Sequence, residues 1–243
     1  MPFKSTLNYS PNFNSQKRTK KHIRFIVLHY TGMKSENDAI NKLTNIQSQV
    51  ASHYLITRSG KIVNLVPDLY IAWHAGISSW KTFNLLNKNS IGIEITNPGH
   101  QFGYKKFSKK QINSLIYLSK FLIKKYKINK RNILGHSDIA PDRKKDPGEK
   151  FPWEYLAKKN VSIWHNLDRH KLRKLRKKKC NEIMKNLFLK NLFRIGYAKK
   201  GKNNVKKNQY LIFIIKAFQR RFRPELVNGK IDQECLLISK NLT

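Results

Sequence analysis

The chain has 243 residues, 40% of them hydrophobic, enough for one substantial core with a second small domain beside it. Fifty Lys and Arg against fourteen Asp and Glu leave a formal charge of +36, so anions of some kind, whether nucleic acid, acidic lipid or acidic glycan, are attracted to it. Two cysteines, Cys180 and Cys235, exclude a disulfide framework and read as ordinary thiols, and apolar stretches such as 23–28 and 210–215 fall far short of the roughly 18 residues that cross a bilayer.

Residues 1–21 are polar and turn-rich and read as a surface arm. They lack the apolar core of a secretory signal, so a cytoplasmic location is expected, with the periplasm or cell envelope as the alternative. The run 23–28 is rich in β-branched and aromatic residues, predicts a buried strand, and ends at His29, Tyr30 and Thr31. Ala39, Ile40, Leu43, Ile46 and Val50 recur at helical spacing behind a cap at Ser35, predicting a helix over 36–50. Segments 52–59 and 61–66 read as a hairpin turning at Ser59-Gly60. The stretch 90–96 alternates strictly, with Ile91, Ile93 and Ile95 on one face and Gly92, Glu94 and Thr96 on the other.

Ser108 and Gln111 form a capping box opening a long helix whose apolar side carries Ile112, Leu115, Leu118 and Leu122. A short strand over 132–135 precedes His136, and Pro141, Pro147, Gly148 and Pro152 make 138–152 an ordered loop. Strands alternating with helices predict an α/β domain over 22–164, built on a mixed central sheet flanked by helices. From Arg169 to Lys179 eight of eleven residues are Lys or Arg, which reads as an exposed basic linker, 165–180. Beyond it, helices over about 181–194 and 204–222 and a shorter one after Asp232 predict a small C-terminal three-helix domain, 181–243.

Three side chains could carry chemistry together: His29 at a strand end, His136 after a short strand, and Asp146 ten residues further on. Two imidazoles and one carboxylate leave a fourth position for water, the pattern of a catalytic rather than a structural zinc site. Spacing alone leaves open the plainer reading, in which each histidine is only hydrogen-bonded.

The wording around these residues narrows the choice. Val27-Leu28-His29-Tyr30-Thr31, Ser52-His53-Tyr54-Leu55-Ile56, Trp73-His74-Ala75-Gly76, Asn89-Ser90-Ile91-Gly92-Ile93-Glu94 and the run from Gly135-His136-Ser137-Asp138 to Asp146-Pro147-Gly148 follow in order. Over about residues 22–160 this series resembles the zinc-dependent N-acetylmuramoyl-L-alanine amidases of type 2, whose fold is shared by phage T7 lysozyme and the peptidoglycan recognition proteins. The resemblance implies His29, His136 and Asp146 as Zn2+ ligands, Glu94 as catalytic acid/base, and Lys144 as a cation facing the oxyanion. It implies hydrolysis of the amide between N-acetylmuramic acid, or its anhydro form, and L-alanine of peptidoglycan stem peptides. Trp73, His74 and Asn97 are the candidate substrate contacts, whereas His53 reads as structural. Ser52 stands where the phage branch has a catalytic tyrosine, and Asp146 where many members have cysteine. Both choices resemble the bacterial branch of cell-wall turnover and recycling. Ala217-Phe218-Gln219 and Asn228-Gly229 resemble the second half of a three-helix peptidoglycan-binding domain.

Two other classes compete. A protein that senses muropeptides without cutting them does not need Glu94, Lys144 and Asp146 together. A nucleic-acid partner would suit the basic run, but no base-reading motif accompanies it, and the excess lysine is spread along the chain. Diffuse positive charge also suits carboxylate-bearing muropeptides. Nothing in the sequence speaks to oligomeric state.

Overall fold

The computed structural model describes residues 5–199 and 205–243. In chain order the described strands are β1 (Thr6–Leu7), β2 (Phe13–Asn14), β3 (Phe25–Tyr30), β4 (Tyr54–Ile56), β5 (Ile62–Asn64), β6 (Ile71–Ala72), β7 (Ser79–Trp80), β8 (Phe83–Asn84), β9 (Ser90–Ile95) and β10 (Ile133–Gly135). The helices are α1 (Glu36–Thr44), α2 (Lys109–Tyr126), α3 (His136–Ile139), α4 (Trp153–Lys158), α5 (Arg169–Leu175), α6 (Glu182–Ile195), α7 (Lys207–Phe222) and α8 (Gln233–Leu242). Six strands form the main sheet in the order β1-β5-β4-β9-β3-β10. The β4–β5 hairpin is antiparallel and the other pairs are parallel, so the sheet is mixed, as the sequence predicts.

Alternation along the central strands decides what covers each face. Ile26 and Leu28 of β3 and Ile91, Ile93 and Ile95 of β9 pack on Leu115, Leu118 and Leu122 of α2. Phe25 and Val27 of β3 and Leu134 of β10 point the other way, onto Phe188, Leu192, Ile214, Phe218 and Phe222 of α6 and α7. The capping box at Ser108 forms as expected, its side chain accepting from the Gln111 amide. Gln111 Nε2 also donates to the Thr96 carbonyl at 2.8 Å, fixing the start of α2 against the end of β9.

Two segments of the N-terminal half differ from expectation. The helix expected over 36–50 stops at Thr44, because the Asn45 side chain turns to accept from the Gln47 amide and opens a separate short turn, leaving Ile46 53% exposed. The N-terminal segment is stitched to the α/β unit: β1 extends the main sheet and β2 pairs with β6. Arg18 is buried there and donates to the carbonyls of Asp68, Asn87 and Lys88. Residues 1–4 of that segment lie outside the described residues, as do residues 200–204, where the sequence predicts the start of the second C-terminal helix.

The C-terminal helices share one apolar core with the sheet instead of enclosing a separate one. The basic run is itself helical in part: Asp168 caps α5 and Leu172 is buried. Arg176 holds Glu234 of α8 through two hydrogen bonds of 2.6 and 2.8 Å. No described helix is long and apolar enough to cross a membrane.

Candidate metal centre and active site

The side chains expected to carry chemistry meet where three neighbouring strands end. His29 and Glu94 are register partners on the parallel pair β3–β9, so both project to the same face, side by side. On the other flank Gly135 pairs with Leu28, and the next residue, His136, opens α3. Ser137 N–H donates to the Asp146 carbonyl at 2.9 Å, which draws the far end of the loop back beside His136. The result brings His29 Nδ1, His136 Nδ1 and Asp146 Oδ2 together: the nitrogens are 2.9 Å apart and each lies 3.1 Å from the oxygen. All three residues are buried.

The hydrogen atoms around this trio can be assigned by following donors. Ser90 has one hydroxyl proton, and it goes to the Leu86 carbonyl at 2.6 Å. Ser90 Oγ therefore accepts from His74 Nε2 at 3.1 Å. With Nε2 protonated, a neutral His74 presents Nδ1 as an acceptor, 3.1 Å from His29 Nε2. Burial, and then the neighbouring His29 and His53, hold His74 well below its ordinary value. His29 thus donates from Nε2 and has a bare lone pair on Nδ1. Burial, with His136 beside it, holds His29 down to about 4, so its imidazole is neutral near pH 7. His136 Nε2 faces the Ala75 carbonyl at 3.2 Å and Arg143 Nη2 at 3.4 Å, while its Nδ1 is turned to the Asp146 carboxylate. Two imidazole nitrogens and a carboxylate oxygen converging this closely offer electron pairs to one point, which a cation among them would satisfy. The donor set therefore fits a divalent ion held by three protein ligands with an open side.

Glu94 stands at the edge of this centre. Its Oε2 is buried with no hydrogen-bond partner among the described residues. Burial, reinforced by the Asp146 carboxylate and opposed by Lys144, pushes its carboxyl up to about 8. The trio and Glu94 line a cleft of about 700 Å³ together with Lys144, Lys42 of α1 and His100. A buried carboxyl with an oxygen free for bonding beside a cation site, with a lysine lining the same space, suits proton transfer during hydrolysis of a carbonyl compound.

Of the expected substrate contacts, Trp73 and Asn97 are placed otherwise. Trp73 is not part of the cleft lining, and its indole Nε1 donates to Asn14 Oδ1 at 2.7 Å. Asn97 is buried and pins its own loop, donating from Nδ2 to the Lys105 carbonyl and accepting the Gly99 amide. His74 borders the cleft as expected, with its two ring nitrogens meeting His29 Nε2 and Ser90 Oγ, each at 3.1 Å. His53 is structural as expected, its Nδ1 accepting the Gly92 amide at 2.9 Å.

Sequence reasoning missed Ser90, which sets the relay, and Gly92, where a Cβ would collide with the His74 ring. A glycine in an alternating strand, on the face of Glu94, was the available signal. It also missed Arg143, which lines the cleft and donates to the carbonyls of Ala75 and Ile77. His100, given no role from sequence, bridges Tyr30 Oη at 2.9 Å and Glu149 at 3.0 Å on the cleft rim.

Comparison with known proteins agrees with this geometry. Residues 19–149 match the sequence profile of the N-acetylmuramoyl-L-alanine amidase family. The chain is 37% identical over 233 residues to the N-acetylmuramoyl-L-alanine amidase AmiD of Escherichia coli (strain K12), covering 90% of this chain and 82% of AmiD. It is 42% identical over 113 residues to the 1,6-anhydro-N-acetylmuramyl-L-alanine amidase AmpD of Haemophilus influenzae, covering 46% of this chain and 59% of AmpD. Among solved structures, E. coli AmiD in complex with the substrate anhydro-N-acetylmuramic acid-L-Ala-D-gamma-Glu-L-Lys superposes with a TM-score of 0.78 at 34% identity, covering 94% of this chain and 91% of that one. AmpDh3 of Pseudomonas aeruginosa gives the same TM-score at 32% identity, over 94% and 95% of the two chains. With residues 19–149 matching the family's profile and nine-tenths of its length matching AmiD, the chain belongs to the N-acetylmuramoyl-L-alanine amidase family of hydrolases.

Proposed function

We propose that this chain is a zinc hydrolase that cleaves the amide between N-acetylmuramic acid, or its anhydro form, and the L-alanine of peptidoglycan stem peptides. The observation that carries the reading is the convergence of His29 Nδ1, His136 Nδ1 and Asp146 Oδ2 beside the buried Oε2 of Glu94, which has no partner among the described residues. His29, His136 and Asp146 would hold the ion. When bound, zinc supplies Lewis acidity toward a carbonyl oxygen and makes water more acidic.

The remaining steps belong to the chain. Glu94 Oε2, free of other hydrogen bonds, takes the proton of the attacking water and passes it to the departing L-alanine nitrogen. Lys144 presents fixed positive charge to the oxyanion that forms at the scissile carbon. His74 and Ser90 keep His29 in the tautomer that leaves Nδ1 bare. The muropeptide's carboxylates enter a cleft bordered by Lys42 and Lys145, whose charges favour them. E. coli AmiD, solved with an anhydro-muramyl tripeptide, supports the anhydro form as a substrate.

The test is to give the purified protein intact sacculi and soluble anhydro-muropeptides and to identify the products by mass spectrometry. Peptides with a free L-alanine amino terminus are expected, lost on chelation and restored by zinc. Turnover that a chelator leaves untouched would refute the metal assignment, and absence of such peptides would refute the amidase reading.

A further inference from the structure

Asp138 lies two residues past His136, in the single turn α3, and is 1% exposed. A carboxylate so enclosed must be met by donors on both oxygens. Oδ2 accepts the Gly135 amide at 2.8 Å and Arg221 Nη1 at 2.7 Å, and Oδ1 accepts the Tyr197 hydroxyl at 2.7 Å. The other nitrogen of the Arg221 fork, Nη2, donates to the carbonyl of Ile133 in β10 at 2.9 Å. The Arg221 guanidinium lies over the Trp153 ring, 4.5 Å from its centroid, and the Tyr197 ring meets Trp80 edge-on at 4.9 Å. Both donors come from the C-terminal helical segment, far along the chain, yet both act on the last strand and first turn before the cleft.

We propose that Tyr197 and Arg221 are positioning residues for the metal centre, so that the C-terminal helices serve the hydrolytic site as well as covering the sheet. One helical turn of four residues does not hold its own shape. Here its shape is imposed: Arg221 ties the first residue of β10 to the carboxylate of α3, and Tyr197 closes the other oxygen. That bracket fixes the direction in which His136 leaves the strand. Through the Ser137 amide on the Asp146 carbonyl, it also sets how the carboxylate ligand approaches. The inference rests on the metal reading of the preceding subsection.

The test uses the full chain with Tyr197→Phe, which removes one hydroxyl and keeps the ring against Trp80, and with Arg221→Lys, which can reach Asp138 but cannot fork to Ile133. Zinc affinity is measured by competition with a chromophoric chelator, alongside kcat, KM and the melting temperature of the metal-free protein. Tyr197→Phe is expected to raise the zinc Kd about tenfold, the lower end for partners of metal ligands. It should lower kcat with KM nearly unchanged, and Arg221→Lys should fall on the same side. A lower melting temperature with zinc Kd and kcat within twofold of the parent would show that the two residues only pack, and would overturn the proposal. If the parent chain itself bound no zinc, the metal reading would fail first and take this inference with it.

Discussion

Ending the chain at residue 164 should abolish folding of the α/β unit, not merely detach an accessory module. Phe25, Val27, Trp80, Leu86, Leu134 and Ile139 are each at most 2% exposed, in one cluster with side chains of α6 to α8. Fully exposing six such side chains forfeits about 1.5–3 kcal/mol apiece, or about 9–18 kcal/mol together. They also touch one another, so about half that figure is a fairer loss, still comparable with the whole stability of a domain, about 5–15 kcal/mol. Buried Asp138 would lose Tyr197 and Arg221 at the same stroke, leaving an uncompensated charge. Far- and near-ultraviolet circular dichroism with a thermal melt, on the shortened and full-length chains, is the assay. A shortened chain that melts cooperatively within a few degrees of the full-length protein and still cleaves small muropeptides would refute the shared-core argument.

Glu94→Gln should retain zinc while turnover falls about 10²–10⁴-fold, as expected for loss of a general acid/base; metal analysis beside kinetics decides it, and near-parental turnover counts against the role. His74→Phe leaves the His29 Nε2 proton without an acceptor, so zinc should bind about 10–100-fold more weakly. An unchanged Kd in chelator competition would mean that the relay does not orient His29. Burial, followed by the Arg18 charge, holds His53 down to about 3, whereas an unfolded histidine titrates near 6.5. As pH falls below that value the unfolded chain takes up a proton that the folded chain refuses. Stability therefore drops by up to about 1.4 kcal/mol per pH unit until the folded value is reached. Urea midpoints of the parent and His53→Asn at pH 7, 6, 5 and 4 should diverge in slope, and parallel lines would contradict the assignment.

The parts of this architecture that repeat at short range are legible in the sequence. Strict alternation alone puts Glu94 on the face opposite Ile93 and Ile95, and the capping box marks the start of α2. What is not legible depends on which surface meets which. The apolar faces of α6 and α7 announce only that something covers them; periodicity cannot say that the cover is Phe25 and Val27 rather than each other. The N-terminal segment joins the sheet through main-chain hydrogen bonds and the buried Arg18, neither of which leaves a hydrophobic pattern. At the site, the ligand trio is legible as motifs, but the role of His74 is not. Its partner Ser90 lies sixteen residues away, at the start of another strand, so only the fold shows that its two nitrogens are spent.

The hydrogen bond from Ser137 to Asp146 bears on how quickly the ion can be captured. Joining the ends of a ten-residue flexible loop costs about 2 kcal/mol of chain entropy. In this protein that loss is incurred once, when the polypeptide folds, and is not repeated each time a cation arrives. Uptake should therefore proceed at a pace governed by the shedding of the ion's own hydration shell, with no slow search by the loop for its closed form.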